Sequence, residues 1–319
     1  MIASTVIQKL ESSRADIPAR LNLFLGCGYI LLNVYQFIIL PSCLLPLDVR
    51  WALTLVPLAL LNNPFWSLIH EAIHDMFHPR QRLNLVWGRA LSIIFGSPFR
   101  VLRSSHLLHH KLNRTLIEGT EYYDRFNASR WRASCGYYFQ ILGGLYLVEF
   151  LSPLPFYLPR RFLLRFKLRF AERQSISAIL FQNWIRNDAL REIRTDGLLT
   201  FGWFGVALFL YDQYWPLLLA VLLSRAFLIS FLDNVYHYRT PVNEIFYAKN
   251  LWLGTPLAKT FLYFNLHGIH HKNPAIPWIR LPQVFQEQSQ PFHGNYFSAA
   301  ARQLSGPVAL QDLPWAEAR

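Results

Sequence analysis

Leu21-Asn-Leu-Phe-Leu-Gly-Cys-Gly-Tyr-Ile-Leu-Leu-Asn-Val-Tyr-Gln-Phe-Ile-Ile-Leu-Pro-Ser-Cys-Leu-Leu-Pro-Leu47 contains no charged residue. Crossing a bilayer takes about 20 apolar residues, so this run predicts a transmembrane helix from Leu21 to Leu40 or slightly beyond. The residues ahead of it are polar and mixed in charge. No short apolar core precedes a small-residue cleavage site, so the run reads as a retained anchor and not as a signal peptide.

Composition extends the same reading to the rest of the chain. Of 319 residues, 53% are hydrophobic and only 16% are charged, against about 25% charged in an ordinary soluble domain. The formal net charge is +12. A basic chain invites a nucleic-acid reading, but Lys and Arg also collect on cytoplasmic loops of membrane proteins and are drawn to anionic lipid. The membrane reading explains the charge better, and no nucleic-acid partner is expected. Cys27, Cys43 and Cys135 form neither a CxxC pair nor a disulfide framework and read as inert packing residues.

Working outward, a second span is expected from Trp51 to Ile69, leading directly into His70. Asn62, Asn63 and Pro64 lie inside it. Proline removes a backbone donor and clashes with the preceding turn, which predicts a kink or a helix restart there. The piece from Phe65 to Phe77 then reads as one helix stopped by Pro79. A later hairpin is expected from Gly197 to Tyr211 and from Trp215 to Leu232, around Asp212 and Pro216. Cys135 to Pro159 is apolar, but Gly143, Gly144, Pro153 and Pro155 divide it. A crossing there would also place the basic run Arg160–Arg173 outside, against the positive-inside bias. It reads as interfacial or re-entrant. The run Arg160–Arg173 interleaves bases with Phe and Leu and reads as a snorkelling membrane-surface segment, or as a docking face for an acidic electron carrier.

The expected fold is therefore an all-α integral membrane protein. Four transmembrane helices form two hairpins, and a cytoplasmic helical cap holds a histidine-rich di-metal site. Residues 1–20 form a cytoplasmic N-terminal segment, 21–285 the membrane domain and 286–319 a cytoplasmic tail. With four spans, both termini and nearly all basic residues share one face, the cytoplasmic one. Every histidine but His293 falls on that face at or near a span end.

The histidines carry the chemistry. His70-Glu-Ala-Ile-His74, His106-Leu-Leu-His109-His110 and His267-Gly-Ile-His270-His271 form three clusters, and His237 stands alone after the last span. Residues three and four apart share a helix face, so each HxxHH places its imidazoles within a sector of about 100°. Nine imidazoles exceed what one four-coordinate metal needs and suit two metals with open positions. Imidazole alone does not name the metal; iron is expected because open non-haem iron sites activate dioxygen.

The set HxxxH, HxxHH, HxxHH resembles the histidine boxes of membrane fatty acid desaturases and their relatives, the acyl hydroxylases, acetylenases and carotenoid ketolases. The resemblance runs from about Asn62 to Phe285. Its most specific stretch is Asn265-Leu-His-Gly-Ile-His-His-Lys-Asn-Pro-Ala-Ile-Pro-Trp-Ile-Arg-Leu-Pro282. It implies a four-span fold with a cytoplasmic cap and two iron ions (Fe2+/Fe3+). It also implies O2-dependent removal of two hydrogens from an acyl lipid or acyl thioester. Carried over by position, the metal ligands would be His70, His74, His106, His109, His110, His237, His267, His270 and His271. Some family members have an Asn four residues before the lone histidine; here Asp233 holds that place, with Asn234 next to it. Glu71, Asp75, Glu121, Asp124 and Asn265 are candidates to orient imidazoles, whereas His78 and His293 are outside the pattern. Arg225, within the fourth span, predicts a buried partner such as Asp212 or Glu149.

This chain contains no CxxC and no haem-binding His-Pro-Gly-Gly motif, so a separate electron donor is expected, ferredoxin-, rubredoxin- or cytochrome b5-like. The expected location is a bacterial inner membrane with the site facing the cytoplasm. Two other classes compete. His70-Glu-Ala-Ile-His74 is also a literal HExxH, which in zinc proteases supplies two ligands and a general base; Asp196 is the nearest third ligand. A metal transporter or haem-binding membrane protein would spread its histidines along the spans instead.

Overall fold

In hydrocarbon a backbone N–H or C=O finds no water, so an apolar run must close its hydrogen bonds internally. The computed structural model, which describes residues 14–119, 121–170 and 175–315, is accordingly mostly helical. The first part of the expected N-terminal segment and the end of the basic run after Phe170 lie outside the described residues.

Helix α1 (Ala19–Val34) continues into a π-helical stretch, Tyr35–Leu44, which contains Pro41. Together they make one apolar helix of 26 residues, the expected first span. Helices α2 (Leu55–Leu60) and α3 (Asn62–Ile73) meet at 44°, which places the expected restart at Asn62–Pro64. Helix α3 ends at Ile73, earlier than Pro79 required. Asp75 is left-handed (φ 62°), and Asn84 ties off the helix end. Its Oδ1 accepts the N–H groups of Phe77 and His78, and its amide donates to the Ala72 carbonyl. Asn84 belongs to α4 (Gln81–Phe95), which turns by 101° into α5 (Phe99–Leu112). Sequence reading gave this pair no apolar element, because Arg82 and Arg89 interrupt its hydropathy. Arg89 is paired with Asp196 at 2.5 Å, so its charge is compensated within the protein.

Helices α6 (Arg130–Phe139) and α7 (Leu145–Leu151) flank a break at Gly143, whose φ of 133° is open to glycine and strained for other residues. Helices α8 (Arg160–Phe170) and α9 (Ile176–Trp184) follow, then α10 (Asn187–Tyr211) and α11 (Trp215–Asp233). The expected second hairpin is this last pair, reversed at Asp212 (φ 39°). Its first arm begins at Asn187, not Gly197. Three stretches are long and apolar enough to cross a membrane, Ala19–Leu44, Arg130–Tyr157 and Asn187–Tyr236, and the two bent pairs bring the number to five if each counts as one span. The expected four lies inside that range without being fixed by it.

Arg225 of α11 is 2% exposed, but neither expected acid meets it. Its Nε donates to Asn62 Oδ1 (2.7 Å), one Nη to Asn33 Oδ1 (2.9 Å) and the other to the Phe95 carbonyl (2.8 Å). The rings of Phe37 and Phe95 lie within 6 Å of the guanidinium carbon, near enough for cation–π attraction. Its fork geometry suits dispersed neutral acceptors, which a point charge would not. The cation thus joins α1, α3, α4 and α11.

The cap is built from the short helices α12 (Thr255–Thr260), α13 (His267–Lys272), α14 (Leu281–Glu287) and α15 (Tyr296–Arg302). Strands Tyr122–Tyr123 and Val308–Ala309 pair in parallel. The segment expected as a tail packs into this cap: buried Gln303 accepts from Asn234 and donates to the Phe231 carbonyl. Cys27, Cys43 and Cys135 are free and exposed, so they do not pack the core.

Candidate metal centre

Helical spacing sets up the centre one turn at a time. Helix α3 presents His70, with His74 at its end; α5 presents His106, His109 and His110; α13 presents His267, His270 and His271. His237 follows the short 3-10 turn Asn234–Tyr236 that ends α11. All nine imidazoles converge in two groups. His70, His74, His106, His110 and His270 form one, and His109, His237, His267 and His271 the other. Within each group, one nitrogen of every ring lies within 4.8 Å of the others. The rings of His110 and His271 stack at 4.2 Å, so the groups adjoin.

The donor chemistry fits two transition-metal cations. Nε2 atoms approach one another at 3.0 Å for His106 and His110, and at 3.1 Å for both His110–His270 and His267–His271. Among the described residues, the buried Nε2 atoms of His70 and His74 have no hydrogen-bond partner. Buried polar atoms without partners are costly, and a cation that gathers lone pairs removes that cost. Burial, reinforced by neighbouring imidazoles, holds His267, His270 and His271 well below the ordinary imidazole range. The neutral form, which is the metal ligand, is therefore favoured.

Glu118 accepts from, or shares a proton with, His109 Nδ1 at 2.5 Å. A carboxylate on the far nitrogen fixes a ligand's tautomer and orientation. Sequence reading missed Glu118, although it named Glu121 and Asp124 from the same stretch; the separation of nine residues from His109 is bridged by a turn at Arg114, not by a helix. The other acids have different partners. Glu71 accepts the Trp278 backbone N–H. Asp75 holds Arg103, Gln81 and Asn84. Glu121 is paired with buried Arg114, and Asp124 with Gln311 and Asn127. Asn265 donates to the Leu251 carbonyl, leaving a buried Oδ1 without a partner. His78 Nδ1 accepts the Arg80 N–H, which caps the turn after α3.

A cavity of about 650 Å³ reaches the centre at His106, His109 and His237. Its walls are mainly apolar: Leu102 of α5, Val148 of α7, Leu163 and Phe166 of α8, Leu180 of α9 and Ile229 of α11. Asp233, Asn234 and Glu149 also line it, with one buried oxygen of Glu149 lacking a partner. Both residues near the lone histidine, left open by the sequence, thus border the cavity; the Asn234 amide is turned to Gln303.

A family profile described as fatty acid desaturase matches residues 49–300. No curated protein and no solved structure matches the chain.

Proposed function

The chain belongs to the fatty acid desaturase family, and from that premise we propose that it is a membrane acyl-lipid desaturase that uses two irons and O2 to remove two hydrogens from an acyl chain. One observation carries the reading: two adjoining groups of imidazoles border a mainly apolar cavity.

His70, His74, His106, His110 and His270 would hold one ion, and His109, His237, His267 and His271 the other. The irons, when bound, would supply the oxygen-activating redox chemistry that breaks unactivated C–H bonds. The chain's own residues do the rest. Leu163, Phe166 and Leu180 bind the hydrocarbon and exclude water, which strengthens every electrostatic interaction at the site. The walls near His106 and His237 position one methylene, and small displacements there change rate and outcome. Glu118 holds His109 in one orientation. The protease reading loses its candidate third ligand, since Asp196 is paired with Arg89.

The electron donor is a separate protein, ferredoxin-, rubredoxin- or cytochrome b5-like, meeting the basic cytoplasmic face of a bacterial inner membrane. Purification in detergent with metal analysis, together with mass analysis of lipids from expressing cells, tests the reading. Two irons per chain and lipids lacking two hydrogens are expected. Lipids that gain one oxygen would make it a hydroxylase; one zinc per chain would sink the oxygenase. Alanine at His106, His110, His267 or His271 should abolish turnover while the protein still inserts.

A further inference from the structure

A second cavity, of about 410 Å³, lies in the cap and shares no lining residue with the apolar one. Arg239, Lys249, Arg302 and His293 line it, with Tyr238, Asn295 and Ser298. No carboxylate is among the lining residues, and none of these three cations takes part in an ion pair among the described residues. Like charges facing one concavity repel, and their summed field favours an anion there.

Lys249 and His293 both present donors. The Lys249 ammonium donates to the Tyr238 carbonyl, its one side-chain hydrogen bond among the described residues. Burial, with Arg302 and Arg239 nearby, lowers the Lys249 pKa to about 8, partly offset by Glu121. His293 Nδ1 accepts the Asn250 N–H, so its neutral ring carries its proton on Nε2 and remains a donor. Asn295 Oδ1 is already used by the N–H groups of Phe297 and Ser298. What is left is a concavity rich in cationic donors and poor in free acceptors.

We propose that this pocket, lined by Arg239, Lys249, His293 and Arg302, binds a phosphate-bearing group. Arginine forks match phosphate oxygens in pairs, and lysine adds a point charge. The volume suits a phosphate with an organic substituent better than a lone small anion. Two sources share this chemistry, a lipid head group and a soluble phosphate compound. The site is distinct from the acyl cavity, but it touches the metal-bearing chain, because Lys249 is bonded to the residue that follows His237.

The test uses purified full-length protein in detergent and isothermal titration with inorganic pyrophosphate. One saturable site per chain is expected. Arg239→Ala and Arg302→Ala, both exposed positions, should each weaken binding at least tenfold with melting temperature and metal content unchanged. Arg161→Ala, on α8, should leave binding intact. Displacement of pyrophosphate in nanodiscs containing phosphatidic acid, but not phosphatidylcholine alone, would identify the lipid source. Binding that phosphatidic acid does not disturb would identify a soluble one. Absence of saturable binding, or equal binding by the two alanine variants, would overturn the proposal, as would binding only of an acidic carrier protein.

Discussion

Arg225 shows how a single charge can be carried inside a membrane protein without a counterion. Two asparagine oxygens and a main-chain carbonyl accept its protons. Arg225→Leu would strand Asn33 Oδ1 and Asn62 Oδ1, while the Phe95 carbonyl keeps the hydroxyl of Tyr146. Stranded buried acceptors cost about 1–3 kcal/mol each, so this variant should melt several degrees lower in detergent. Arg225→Lys should fall between, since one ammonium cannot span acceptors on three helices. Unchanged melting of the leucine variant would show that the cation contributes nothing. Glu118 acts at the same scale on chemistry rather than stability. Glu118→Gln should lower metal affinity by about 10–100-fold, read by competition with a chelator. Asp124→Asn, at the surface, should leave it alone.

At the scale of the element, α13 is placed by one close approach. A Cβ on Gly268 would lie 2.4 Å from the Ala248 carbonyl oxygen and 2.9 Å from Asn250 Oδ1. Asn250 Oδ1 also accepts the Ile269 N–H, so it cannot move freely. Gly268→Ala should therefore shift the whole helix and withdraw imidazoles from both groups at once. Metal content below half of the parent, with helicity by circular dichroism preserved, is the expected result; full metal content would refute the close packing. Helix α8 illustrates the reverse relation between pattern and place. Its alternating bases and apolar residues fit a membrane-surface helix, yet Leu163 and Phe166 line the apolar cavity while Arg160, Arg161 and Lys167 remain exposed. Its outer face could be anticipated from composition; its inner role could not.

For the whole molecule, the histidine groups and the apolar cavity wall meet only at His106, His109 and His237, so effects on metal content and on turnover should be separable by mutation elsewhere in the wall. His74 and His271 belong to different groups, so His74→Ala and His271→Ala should each lower metal content by about one ion per chain, if the proposed two-ion centre holds. Leu180→Trp fills part of the cavity wall and should lower turnover on the longest acyl chains with iron content unchanged. Equal loss of iron in the tryptophan variant would mean that cavity and centre are one packing unit.

The histidine spacing, the uncharged run Leu21–Leu47 and the break at Asn62–Pro64 were legible from the chain alone, because each depends on neighbours within a turn or two of helix. Eight of the nine histidines that converge also stood out by type and by i, i+3 and i+4 spacing, whereas His237 has no such neighbour. Tertiary structure alone decided how nine imidazoles divide five and four, that neutral acceptors rather than Asp212 or Glu149 hold Arg225, and that Glu118 braces His109. It also decided that a basic hollow forms where residues 238–249 meet residues 293–302. Those outcomes join segments far apart in sequence, and local pattern holds no information about which distant surfaces will meet; only packing in three dimensions selects them.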